Sequence, residues 1–343
     1  NNLEFSVNLW NKEYSIESTT YLSKSINGST IPKEIGFLKN LETLIIRKGI
    51  GNIPSEIGHL TNLKTLNLGI QGIESEKNEF VGEIPDEIGN LINLEYLNLS
   101  KNAYTWGGIP IGGISGSIPD EIGNLENLSY LNLSQNNLSG SIPSSIGGLQ
   151  NLDSLNFSIN FQQDMLTPVS GIDSIPPEIG DLINLRYLNL SSCFISTFPS
   201  EISNLQSLEE LNLSSNRSLA DIELVSIGSD SASSIFSTIF GLTNLKHLKL
   251  ETCFLEGIIP LGFSNLENLE SLYLNANRLS GELPNDLWRL EDLEVLKIGS
   301  GEVMVFGGAI NVKNSFYGGI LDSTLSLVNL NYLDLSDNQF SGE

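Results

Sequence analysis

Residues Leu128-Ser129-Tyr130-Leu131-Asn132-Leu133-Ser134-Gln135-Asn136-Asn137-Leu138-Ser139-Gly140-Ser141-Ile142-Pro143-Ser144-Ser145-Ile146-Gly147-Gly148-Leu149-Gln150-Asn151-Leu152 carry one complete repeat and the start of the next. The opening frame, L-x-x-L-x-L, begins again at Leu41, Leu63, Leu94, Leu128, Leu152, Leu185, Leu208, Leu245, Leu269, Leu293 and Leu330. The intervals between these starts are uneven: 22, 31, 34, 24, 33, 23, 37, 24, 24 and 37 residues. The second half of the repeat, I-P-x-E-I-G-x-L-x-N-L, is not uneven. From its Pro slot to the next first Leu is nine positions, as in Pro54 to Leu63, Pro143 to Leu152 and Pro284 to Leu293. All length variation lies between L-x-L and I-P.

The frame has a physical reading. Alternation places Leu97 and Leu99 on one face of a short strand and Asn98 on the other. So short a strand cannot bury its apolar face alone. Stacked copies can, as a parallel sheet over a continuous Leu/Ile core. The back half returns the chain to the next rung. Its Pro suits the first position of a helical turn, and Glu34, Glu56, Glu87, Glu121, Glu178 and Glu201 fall where a helix N-terminus favours negative charge. Three positions after the last Leu stand Asn102, Asn136, Asn160, Asn216, Asn277 and Asn338, or Cys193 and Cys253. A ladder of buried amides there can satisfy backbone groups at the turn. Two rungs separate the cysteines by at least ~9.6 Å at strand spacing, and a disulfide needs Cα atoms within ~7 Å. Two buried free thiols are expected.

The motif L-x-x-L-x-L-S-x-N-x-L-S-G-x-I-P-x-x-I-G-x-L-x-N-L resembles the plant-type leucine-rich repeat of receptor-like kinase ectodomains, receptor-like proteins and polygalacturonase-inhibiting proteins, with similar repeats in microbial surface proteins. The resemblance covers residues 26–343. It implies an α/β solenoid: a horseshoe with a parallel concave sheet, short helical or 3-10 turns on the convex side, and a second set of short strands from L-S-G-x-I-P. Val7-Asn8-Leu9 looks like a degenerate first rung, so residues 1–25 read as a degenerate first repeat. Residues 26–343 read as about eleven repeats, truncated at the C-terminus. The paired-Cys N-terminal cap of the plant proteins is absent. Two repeats lack the Pro, carrying Phe236 and Leu321 in its slot.

Composition narrows the function. With Lys+Arg 17 against Asp+Glu 41, the net charge is −24. Nucleic-acid binding rests on cations neutralising phosphates, and anionic membrane surfaces demand the same, so neither is an expected partner. No apolar run approaches the ~18 residues of a membrane span. No P-loop, H-E-x-x-H, G-x-S-x-G or cysteine cluster appears, and the two histidines, His59 and His247, fall on separate repeats. No catalytic residue, cofactor or metal is expected. The chain reads as a non-catalytic scaffold for a protein, peptide or glycan partner, at the cell surface or outside the cell. An ectodomain fragment of a receptor-like kinase and a structural or adhesive array are the other readings.

Two surfaces are candidates for binding. On the concave sheet, the middle column runs Asn67, Asn98, Asn132, Asn156, Asn189 and Asn212, then changes to Lys249, Tyr273, Lys297 and Asp334, with Lys246, His247 and Glu251 beside it. This row is either a patch for an acidic peptide or sugar, with Tyr273 as aromatic anchor, or an ordinary solvated face. Tyr96, Tyr130 and Tyr187 make a looser aromatic column, open to an interface reading or to cross-strand packing. The second surface is the edge bearing insertions within 69–83, 100–117, 158–174, 214–234 and 299–319, all expected to leave the strand at one point and emerge on one side. They contain Trp106-Gly107-Gly108, Phe306-Gly307-Gly308 and Tyr317-Gly318-Gly319, read either as binding elements or as turns tucked on the flank. Nine N-x-[ST] sequons occur, five of them by-products of the L-N-L-S strand consensus, with Phe157 for the second Leu at Asn156; glycans on those would block the concave sheet.

Overall fold

The computed structural model of the chain describes residues 5–69, 77–106, 109–162, 170–216, 231–305, 308–320 and 327–341. It divides into two compact units, Asn1–Leu182 and Ile183–Glu343. In the first, strands Tyr21–Ser29, Thr43–Asn52, Thr65–Asn67, Tyr96–Asn98, Tyr130–Asn132 and Ser154–Asn156 form a parallel sheet in chain order. The second repeats the plan with Tyr187–Asn189, Glu210–Asn212, His247–Lys249, Ser271–Tyr273, Val295–Lys297 and Tyr332–Asp334. Register is set by the frame: Leu66, Leu97, Leu131 and Leu155 are successive partners in one unit, and Leu211, Leu248, Leu272 and Leu296 in the other. Both leucines of each L-x-L are buried in nearly every rung, and each such side chain stabilises by about 2 kcal/mol. The stacked parallel rungs are those that the spacing predicts, in the leucine-rich-repeat arrangement that the resemblance implies.

The back halves form single 3-10 turns, such as Ser55–His59 and Asp120–Asn124, with the expected glutamates in the first turn. Proline sits one place earlier than expected. Pro54 and Pro119 are extended residues just before the turn, and their carbonyls accept the first turn bonds from Ile57 and Ile122. Among the described residues only Pro177 occupies the first turn itself. Where Phe236 takes the proline slot, the α-helix Ser231–Ile239 replaces the 3-10 turn. Phe236 is fully buried, with ring centroids 5.7 Å from Phe240 and 6.0 Å from Phe263. The other exception, Leu321, lies outside the described residues.

The expected amide ladder is present. Asn136 donates to the carbonyls of Leu99 (2.8 Å) and Leu133 (3.0 Å) and accepts from the Ile114 N–H (3.1 Å). Asn216 does the same for Leu190 and Leu213, and accepts from Cys193 and Ile195. Sequence reasoning missed two members. Asn78 bonds Ile46 and Leu68, and Asn314 bonds Leu274 and Ile298. These follow their insertions, whereas Asn102 and Asn160 precede theirs. The insertions therefore leave the rung at two points, not one, because the amide must return to its own rung's carbonyl whatever precedes it. A second, exposed ladder was also missed: the Asn of x-N-L, at Asn62, Asn93, Asn127, Asn151, Asn244 and Asn268, donates to a backbone carbonyl of the preceding rung.

Cys193 and Cys253 are free and buried, as expected. Burial pushes the Cys253 thiol up to about 12, and its Sγ lies 3.1 Å from the Leu213 carbonyl. Since the thiolate is the nucleophile, an aromatic disulfide reagent at pH 8 should label neither thiol in the folded chain and both after denaturation. Rapid labelling of the folded protein would contradict this packing.

Short flank strands form the second set that the resemblance implies, including Glu256–Ile258, Arg278–Glu282, Ser315–Gly319 and Gln339–Ser341 in one parallel sheet. Among the described residues, three insertions carry antiparallel pairings: Ala103–Trp106 with Ile109–Gly112, Phe161–Gln162 with Ser170–Ser174, and Gly301–Val305 with Gly308–Val312. At the N-terminus, Val7-Asn8-Leu9 belongs to an antiparallel hairpin, Ser6–Leu9 with Lys12–Ser15, and not to a parallel rung. Leu9 is nonetheless fully buried.

Candidate functional site

The register of the second unit makes Lys249, Tyr273, Lys297 and Asp334 successive neighbours, and His247, Ser271, Val295 and Tyr332 the next column. The row read from the sequence is thus a spatial row. Its charges are not equivalent. Lys249 Nζ lies 2.7 Å from Glu210 Oε1. Lys246 Nζ lies 3.0 Å from Glu209 Oε2, and Glu209 also takes the Arg186 guanidinium at 2.7 Å. Hydrogen bonds from Lys246 and then Arg186 hold the Glu209 carboxyl below its ordinary range, and Glu209 in turn raises Lys246. His247 Nδ1 shares a hydrogen bond of 3.0 Å with the Ser271 hydroxyl, and its Nε2 is 3.8 Å from Glu270. The expected basic patch is, over Lys246 to Lys249, a neutralised network.

Lys297 differs. Among the described residues it has no carboxylate partner. Its Nζ lies 5.0 Å from the Tyr273 ring centroid and 4.9 Å from that of Tyr332. A cation over an aromatic face is attracted by the ring quadrupole without losing its charge. Tyr332 was missed in the sequence. Its frame position, two after Leu330, is the slot of His247 and Ser271, so the register could have found it. At the ends of two neighbouring strands, Glu251 Oε2 and Asn275 Oδ1 are shielded acceptors with no hydrogen-bond partner.

The tyrosine column falls on both units. Tyr96 and Tyr130 stack in the first unit, centroids 4.5 Å apart and planes 3° from parallel, but the next partner of Tyr130 is Ser154. Tyr187 stands in the second unit beside the Arg186 guanidinium, 5.3 Å from its ring. Trp106 ends a strand of its antiparallel ribbon, and its side chain lies outside the described residues, as do residues 107–108 and 306–307. Tyr317-Gly318-Gly319 is no turn: it lies in a flank strand between Arg278–Glu282 and Gln339–Ser341.

The asparagine column is structural. The side-chain Oδ1 atoms of Asn98, Asn132, Asn156, Asn189 and Asn212 accept the N–H two residues on, closing each strand with an Asx turn. Asn98 and the sequon residue Asn216 are buried, so folded chain presents neither for glycosylation. Among the described residues no helix is long and apolar enough to cross a membrane, and no group of three or more His, Cys, Asp or Glu side chains is placed to hold a metal ion.

Parallel rungs closed by amide ladders, with a polar and aromatic open face, define a leucine-rich-repeat protein. A family model described as leucine-rich repeat region matches residues 172–343, half of the chain, and a second, leucine rich repeat, matches 127–149. The chain belongs to the leucine-rich-repeat family. Comparison with curated proteins gives no match. Among solved structures it is similar to the plant peptide hormone receptor RGFR1 in complex with RGF2, at 26% identity and TM-score 0.69 over 94% of this chain and 48% of that one. The ectodomain of the Arabidopsis receptor kinase HAESA, in complex with an extended IDA peptide hormone, is 25% identical with TM-score 0.67 over 98% of this chain and 48% of that one. A leucine-rich-repeat protein of Leptospira interrogans is 26% identical, TM-score 0.57, over 92% of this chain and 71% of that one. The chain spans about half the length of the receptor ectodomains.

Proposed function

We propose that this chain is a non-catalytic recognition scaffold, and that the open sheet face of its second unit binds an acidic segment of a peptide or protein. One observation carries the reading: Lys297 stands between two tyrosine rings with its charge unspent, while the lysines beside it are neutralised by glutamates. The rings desolvate the ligand's carboxylate and hold the ammonium in place, which is how an interface concentrates energy on a few anchors. The receptor ectodomains it resembles were solved with peptide hormones, which supports a peptide ligand and an extracellular or cell-surface position. An ectodomain segment of a receptor-like kinase is the more specific form of the same reading.

The test is a panel of labelled acidic peptides beside matched peptides with Gln and Asn for Glu and Asp, titrated by fluorescence anisotropy. The wild-type chain should prefer an acidic member, and Lys297→Gln and Tyr273→Ala should each weaken it by about tenfold or more. Lys33→Gln, on the first unit, should not. Equal binding of acidic and neutral peptides, or unchanged affinity in Lys297→Gln, would remove the site. Small losses spread evenly over surface variants would favour the structural or adhesive array.

A further inference from the structure

The flank of the second unit carries a separate cavity of about 200 Å3, bordered by Trp288, Tyr317 and Phe340 and by Glu282, Asn285 and Gly318. Its makeup departs from the repeat. Trp288 occupies the slot that is Gly58, Gly89 and Gly123 elsewhere in the array, and only 6% of it is exposed. Phe340 is fixed by stacking on buried Phe316, centroids 6.4 Å apart. Tyr317 is half exposed and stands beside Glu282 in register. Gly318, at φ +96°, leaves room for the Glu282 side chain to lie across it: a Cβ there would meet Glu282 Cγ at 3.2 Å. Among the described residues the Glu282 carboxylate has no ion-pair or side-chain hydrogen-bond partner, and no lysine or arginine borders the cavity.

We infer that this cavity binds an alkylammonium group, held by the faces of Trp288, Tyr317 and Phe340 and neutralised by Glu282. Several aromatic faces with one unpaired carboxylate are the chemistry that takes a quaternary ammonium or an alkylated amine. An anion meets only negative charge there. The field of a chain carrying −24 draws cations toward it. The inference does not depend on the acidic-ligand site, which lies on the sheet face and has the opposite charge preference. The ammonium could belong to a small molecule or to a lysine side chain of a partner, and the chemistry is shared.

The experiment follows the Trp288 indole N–H signal by heteronuclear NMR, using the full chain. The probes are choline, its neutral carbon isostere 3,3-dimethylbutan-1-ol, N-acetyl-lysine methylamide with and without Nε-trimethylation, and glucose. Choline should shift the signal saturably in the millimolar range, with the isostere about tenfold weaker. Glu282→Gln should reduce the preference for choline over its isostere, and Tyr317→Ala should weaken both. Trimethyl-lysine binding more tightly than choline would assign the group to a peptide side chain, the reverse order to a free small molecule. No shift up to about 50 mM choline, equal binding of choline and isostere, or preference for glucose would each overturn the inference. The isostere comparison uses only the unaltered protein, so a misfolded variant cannot mimic the result.

Discussion

Asn136→Ala is expected to lower the unfolding free energy by about 2–3 kcal/mol, because it leaves the Ile114 N–H without a partner in a fully buried place and takes from the Leu99 and Leu133 carbonyls one of their two amide donors, Asn102 and Asn160 supplying the other. Asn136 has no exposed surface, and its amide alone connects Leu99, Leu133 and Ile114. Water cannot take over these bonds without opening the rung. The comparison is Asn127→Ala, which removes an exposed bond to Ile92 of the same length, 2.8 Å, and should cost no more than about 1 kcal/mol. Urea unfolding followed by circular dichroism measures both. Equal losses would mean that the inner ladder is not the main polar support of the stack.

Gly123→Ala should destabilise by about 3 kcal/mol, although replacing glycine by alanine ordinarily stabilises through the unfolded state. A Cβ at Gly123 would fall 2.3 Å from the Ser145 carbonyl oxygen and 2.6 Å from its Cβ. Both atoms belong to the next turn, so the clash is between rungs and no rotamer relieves it. Where the slot holds a larger residue, Ser203, the neighbouring rung compensates with Gly241, at which an added Cβ would lie 2.8 Å from Ser203 Cβ. A raised or unchanged urea midpoint in Gly123→Ala would show that adjacent turns can slide apart at little cost.

The repeat was legible because its physics is local. L-x-L alternation and the constant nine-residue return specify a rung whatever lies between, and the Asn three positions on announces the ladder. The legible part ended at the insertions. Asn78 and Asn314 are ladder members that counting from the last leucine cannot reach, since they stand 10 and 16 residues beyond Leu68 and Ile298. Pro119 is displaced by one place because an extended proline can still accept a turn bond through its carbonyl. The row of Lys249, Tyr273 and Lys297 was legible as a row, since register follows from frame. Its electrostatics were not.

By itself, then, the sequence determined the class of fold, the register of every in-frame strand and the burial of both cysteines, because each depends on periodicity alone. Only the tertiary structure decided which positive charge is available. Glu209 and Lys246 are 37 residues apart, and Glu210 and Lys249 are 39 apart, so their pairing exists only once an insertion has been looped out and the strands set side by side. The same stacking sets Lys297 between Tyr273 and Tyr332, and it lines one flank cavity with Trp288, Tyr317 and Phe340 from three different repeats.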